Sequence, residues 1–136
     1  MRPGRFDALD YAPVGICVID QARTVLFWNR CIADWTSIPA QEIAGQDIRK
    51  KFARLDEERY EIRIDAVLEG GPPAVFSASL HGHLFPALLP GGEMRYLHVT
   101  VTAVPDEDDD VHQADEFHES SFRAAVLLTL PGGLGR

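Results

Sequence analysis

The chain has 136 residues, 46% hydrophobic and 25% charged, which bounds it to one globular domain with enough chain for a sizeable core. Its formal net charge of -8 has one local source: residues 105–121 hold eight acidic residues and no Lys or Arg, and setting them aside leaves 13 acidic residues against 13 Lys and Arg. A chain without a net basic surface is a poor partner for phosphates, so nucleic-acid binding is disfavoured. No apolar run approaches the ~18 residues of a membrane span, and the opening "MRPGRFDALDYAPVG" has no signal-peptide core, so a cytoplasmic location is expected.

In chain order, "RFDALDYAP" predicts a short leading helix ended near Pro13. Residues 15–19 and 25–28 are short apolar runs joined by a polar turn, a tight hairpin whose strands are followed by Asp20 and Asn29. "RCIADWTSI" places Cys31, Ile32, Trp35 and Ile38 at helical spacing, with Pro39 as the stop, and "PAQEIAGQDI" reads as a further helical turn closed by Gly45. The longest predicted helix covers 56–69: Asp56 caps it, Tyr60, Ile64, Val67 and Leu68 form its apolar stripe, and Gly70 and Gly71 end it.

The last half reads as β structure. "MRYLHVTVTAV" alternates Leu97, Val99 and Val101 with His98, Thr100 and Thr102, a half-buried antiparallel strand. "FRAAVLLTL" is more apolar and therefore central. Gly91-Gly92 suits a two-residue hairpin turn, which sets Leu88, Pro86 and Leu84 opposite Arg95, Leu97 and Val99 and makes 83–90 an edge strand, since Pro86 donates nothing to a ladder. "AVFSASL" extends or precedes that strand. The acidic segment from Pro105 reads as a solvated loop between two strands.

The order β-β, several helices, β-β-β describes an α+β fold, one five-stranded antiparallel sheet with helices covering one face. At this point the sequence resembles the PAS domain family, the sensory box of bacterial signalling proteins. "APVGICVID", "VLFWNRCIADWTSI" and "EIAGQDI" match the family's opening, with Asp20, Asn29 and Gly45 at the expected places, and "LHVTVTAVPD" looks like its fourth strand. The likeness covers roughly residues 6–130, and the long acidic insertion departs from the family's usual short hairpin. It divides the chain into a cap segment (1–13), a sensor domain (14–130, with the acidic insertion at 105–121) and a tail or linker start (131–136).

The resemblance implies a sensory or interaction module rather than an enzyme. Such a module binds a small ligand, or serves as a dimerisation platform, and relays a signal to an effector such as a histidine kinase or a diguanylate cyclase. A homodimer is expected, with Phe6, Leu9 and Tyr11 packing across the outer sheet face or against a partner copy.

The family's cofactor chemistries can be checked residue by residue. The position of the flavin-reactive cysteine, three after the glycine of the "EI-x-G" segment, is Ile48, and the predicted long helix carries no His to ligate haem. Both chemistries are therefore unexpected, and the cofactor is unknown. Cys17 and Cys31 read as small core residues. His81, His83 and His98 would share the outer face of the sheet, and they read as exposed polar positions rather than a zinc site. Asp106, Asp108 and Asp110 have the opening spacing of a calcium loop, but Val111 and Phe117 stand where its Gly and closing Glu belong. The cluster "RKKFAR" (49–54) reads as a solvated helix face.

Alternation and the resemblance together point one set of side chains inward as ligand-pocket candidates: Cys17, Ile19, Val25, Phe27, Ile32, Trp35, Ile64, Val67, Leu97, Val99 and Val101. Almost all are apolar and none is charged, so a ligand would be small, largely apolar and uncharged. The alternatives are a ligand-free dimerisation module with a filled core, or a small isomerase or lyase using Asp34 or Asp65 as a buried acid.

Overall fold

The computed structural model describes residues 7–105 and 122–131. The acidic insertion from 106 to 121, Phe6 and the tail from 132 lie outside the described residues.

A single five-stranded sheet runs in the order β2-β1-β5-β4-β3, from β1 (Gly15–Ile19), β2 (Val25–Trp28), β3 (Ala74–Ser77), β4 (His98–Pro105) and β5 (Phe122–Thr129), every pairing antiparallel. As its apolar composition requires, β5 is central, between β1 and β4. One edge is covered: Gly45 donates to the Val25 carbonyl at 2.8 Å and Val25 donates back to Gln46 at 2.9 Å, which seals β2.

The helices obey their sequence signals, with corrections at their ends. The leading segment is a 3-10 turn (Asp7–Tyr11). It lies against α1 (Arg30–Thr36), where Arg30 meets Asp10 at 3.0 Å and stacks over the Tyr11 ring, rather than across the outer sheet face. A left-handed Ser37 ends α1 before Pro39 is reached. After α2 (Ala40–Ile43), Gly45 takes a φ of 81°, the backbone that a Cβ disfavours.

The long helix α3 (Glu58–Leu68) buries Tyr60, Ile64, Val67 and Leu68 as expected. Each such side chain stabilises the fold by ~1.5–3 kcal/mol. Asp56 does not cap it: it belongs to the preceding 3-10 turn (Ala53–Asp56), and Glu57 stands at the cap without a side-chain bond.

The third strand is Ala74–Ser77, not residues 83–90. Phe76 pairs with Val99 and Ala74 with Val101, while 83–90 has only an isolated bridge between Leu88 and Met94. The reason is turn length. Leu89 donates to Glu93 and Gly92 donates to Leu89, so the connection is longer than two residues and the register moves by one. That slip turns Ala87 inward and leaves Pro86 and Leu88 exposed, while Leu84 and Phe85, outside any ladder, are both buried. Between β3 and β4 the chain therefore forms α4 (Ala78–His81) and a strap, residues 82–97, that folds back over the core.

Candidate functional site

The inner sheet face presents Ile19 from β1, Phe76 from β3, Val99 and Val101 from β4, and Val126 from β5. Ile64 of α3, Ile48 and Leu55 of the 3-10 turns, and Leu84 and Phe85 of the strap close over them. Together they enclose a cavity of about 10 Å³. That is about the threshold for one water, and a void with apolar walls stays dry. Aromatic contacts hold the strap down: Phe85 packs on Phe52 with centroids 4.8 Å apart, and Phe52 on Trp28 at 5.9 Å. At the far end Arg95 lies over the Trp35 ring, 5.0 Å from its centroid.

The strap's near end is tied by polar contacts. The His81 carbonyl accepts from Tyr60 Oη at 2.8 Å and from Arg54 Nη2 at 2.9 Å. The His81 ring lies edge-on to Phe76, and its Nδ1 accepts the Ser77 backbone N–H at 3.1 Å. On the opposite flank a charge network joins the hairpin turn to α3. Buried Arg23 donates to Asp65 at 2.6 Å, and Arg49 bridges Asp47 and Glu61, each at 2.7 Å. The bonded Arg49 guanidinium holds the Asp47 carboxyl below the usual carboxylate range.

Of the pocket candidates, Ile19, Ile64, Val99 and Val101 line the cavity. Cys17, Val25, Ile32, Val67 and Leu97 are buried in the surrounding core without reaching it. Phe27 is not inward. A bulge shifts the β1–β2 register between Val18 and Ile19, so Val25 and Trp28 face the core and Phe27 pairs with Val18 on the other face. Trp35 is half-buried at the rim, beneath Arg95.

The missed lining residues Leu84, Phe85 and Phe76 trace to the misplaced third strand. Ile48 and Leu55 stand in 3-10 turns, where no period marks a face. Asp65 is exposed and paired with Arg23, and Asp34 is exposed, so neither acid is at the cavity. The three histidines do not share a sheet face: His81 ends α4, His83 packs on Tyr96 within the strap, and only His98 is on a strand. Arg49, Lys51 and Arg54 of the basic cluster are each engaged, Lys51 by Glu42.

The lining does not fit the family's cofactors. It offers no imidazole or thiolate for haem iron and no polar side chain for the amide edge of a flavin. Cys17, the buried thiol nearest in sequence to the lining, is pushed up by desolvation and kept protonated.

An antiparallel sheet in this strand order, with short helices between its second and third strands and an apolar cavity beneath α3, defines the relationship. The family model described as the PAS fold matches residues 9–115. The chain belongs to the PAS fold family. No curated protein matches it. Solved PAS structures share its fold at low identity. The sensory box sensor histidine kinase from Vibrio cholerae is 15% identical at a TM-score of 0.61, over 90% of this chain and 85% of that one. The PAS domain of nitrogen regulation protein NR(II) from Vibrio parahaemolyticus is 12% identical at 0.61, over 95% and 99%. The PAS domain of an HTR-like protein from Haloarcula marismortui is 16% identical at 0.60, over 91% and 92%. Among the described residues of this PAS domain, no helix is long and apolar enough to cross a membrane.

Proposed function

We propose that this PAS domain is the sensory part of a signalling protein, that it takes a small, uncharged, largely apolar ligand between α3 and the sheet, and that as a homodimer it relays occupancy to an effector such as a histidine kinase. The observation that carries the reading is the wholly apolar cavity whose roof is a strap joined to the sheet only through α4 and β4. A roof of this kind can lift without breaking the ladder, and lifting it exposes apolar wall on both sides of the gap. The sensor histidine kinase among the structural neighbours supports the choice of effector.

The test is extraction of the purified protein followed by mass spectrometry. Recovery of a small apolar molecule in stoichiometric amount, lost in Val99→Phe, supports the reading. Protein that carries nothing and binds nothing in a metabolite screen refutes it. Light scattering at micromolar concentration tests the dimer, and a monomer unchanged by deletion of residues 1–12 refutes that part.

One observation favours a second reading, a ligand-free dimerisation module: a cavity of about 10 Å³ is a nearly filled core. In that case the extraction finds nothing while the dimer persists.

A further inference from the structure

We propose that residues 82–97 form a proton-sensitive lid on the cavity, latched shut by the neutral ring of His81 and released when that ring is protonated.

The latch geometry leaves no place for a second ring proton. Nδ1 is used as an acceptor by the Ser77 backbone N–H, at 3.1 Å. Nε2 faces Arg63 Nη1 of α3 at 3.4 Å. With Nδ1 accepting, the neutral ring already carries its proton on Nε2. A second proton goes to Nδ1, where its N–H would point at the Ser77 amide N–H, and the ring's positive charge would then stand beside the permanent cation of Arg63. Arg63 is itself fixed, with Nη2 donating to the Val75 carbonyl at 3.1 Å and its guanidinium over the Phe76 ring at 4.2 Å.

Among the described residues, the other groups in contact with His81 carry no negative charge. Tyr60 of α3 presents its ring edge and its hydroxyl, and Arg54 adds a second cation at the His81 carbonyl. An unperturbed imidazole changes charge between about pH 5 and pH 8, which sets the range to test.

Release of His81 acts on the lid because the strap begins at the very next residue. Gly82 has a φ of 77° and an Arg54 side chain packed against it, so His81 and the start of the strap are held as one unit. Leu84 and Phe85, close behind Gly82 in the chain, are cavity walls. Freeing the ring removes the side-chain part of the near anchor and leaves the carbonyl bonds to Tyr60 and Arg54, so the strap loosens at this end while its Arg95–Trp35 end stays in place. Gating of a ligand rests on the cavity being a ligand site. The opening itself does not, and it is measured without ligand so that each can fail alone.

The experiment is amide hydrogen exchange read by mass spectrometry at stepped pH, each rate corrected for intrinsic chemical exchange. Between about pH 8 and about pH 5.5 the strap amides, among them Arg95 bonded to the Ala87 carbonyl, exchange roughly tenfold faster while β5 stays protected. His81→Asn keeps an acceptor for Ser77 and cannot take up a proton, so its strap stays protected throughout, whereas His83→Gln behaves as the parent. Arg63→Gln removes the opposing cation and moves the transition to higher pH. A flat profile in the parent, the same acid transition in His81→Asn, or an unmoved midpoint in Arg63→Gln overturns the proposal.

Discussion

Replacing Asn29 by alanine tests how the hairpin is joined to the first helix. Asn29 is fully buried, and its side chain makes four bonds. Oδ1 accepts from the N–H groups of Ile16 and Ile32, both at 3.0 Å, while Nδ2 donates to the carbonyls of Leu9 and Val14, both at 2.9 Å. One amide thus caps α1, holds the start of β1 and ties down the leading segment.

Alanine removes the cap, which costs ~1 kcal/mol. It leaves the buried Ile16 N–H without its side-chain partner, which adds ~1–3 kcal/mol, and the two carbonyls lie nearer the surface and add less. The expected loss is ~3–5 kcal/mol, or roughly 10–18 °C in Tm for a domain of this size. Urea unfolding followed by the fluorescence of Trp28, buried beside the site, measures it.

Two further replacements divide the effect. Asn29→Ser retains the cap and falls between parent and alanine. Asn29→Asp retains the acceptor but sets carboxylate oxygen against two carbonyls, so its deficit narrows as the pH falls and the carboxyl acquires a proton to donate. A loss below ~1 kcal/mol in Asn29→Ala would show that only the cap matters and would refute the account of Asn29 as a three-way tie.

In a cavity of about 10 Å³ the ring of Val99→Phe has no room, so that variant should lose ~1–3 kcal/mol in chemical denaturation, and an unchanged midpoint would mean that the strap yields freely. Because Asp47 titrates below its unfolded value, its bond to Arg49 stabilises the fold above about pH 4, and that contribution disappears as the pH falls through the lower folded value. Asp47→Asn should therefore flatten the acid limb of a stability-versus-pH curve, and a limb of unchanged slope refutes the assignment. Gly70 has a φ of 92°, and a Cβ there would stand 2.7 Å from the Phe122 ring, so Gly70→Ala should cost ~1–3 kcal/mol by calorimetry. A neutral result would show that Phe122 swings aside and the turn relaxes.

Much of this domain was readable from its residues, because local chemistry and burial agree there. The β1–β2 hairpin, the α3 stripe of Tyr60, Ile64, Val67 and Leu68, the alternation of Val99 and Val101, and the central place of β5 all come from period and hydrophobicity, which a buried face imposes along one stretch of chain. Asn29 stood out as a polar residue between an apolar strand and a helix, but its partners at Leu9, Val14 and Ile16 are distant in sequence and only folding brings them together.

What tertiary structure alone decided lies where two local readings were nearly equal. A hairpin around Gly91-Gly92 closes in either of two registers, and the choice that buries Leu84 and Phe85 against Phe52 and Ile64 turns a would-be strand into a strap. That leaves β4 free to pair with Ala74–Ser77. The bulge that turns Phe27 away from the core arises from pairing with β1, not from β2 itself. The cavity wall is drawn from residues far apart in the chain, so its composition depends on which strand took the edge, a competition between long-range contacts that no short window contains.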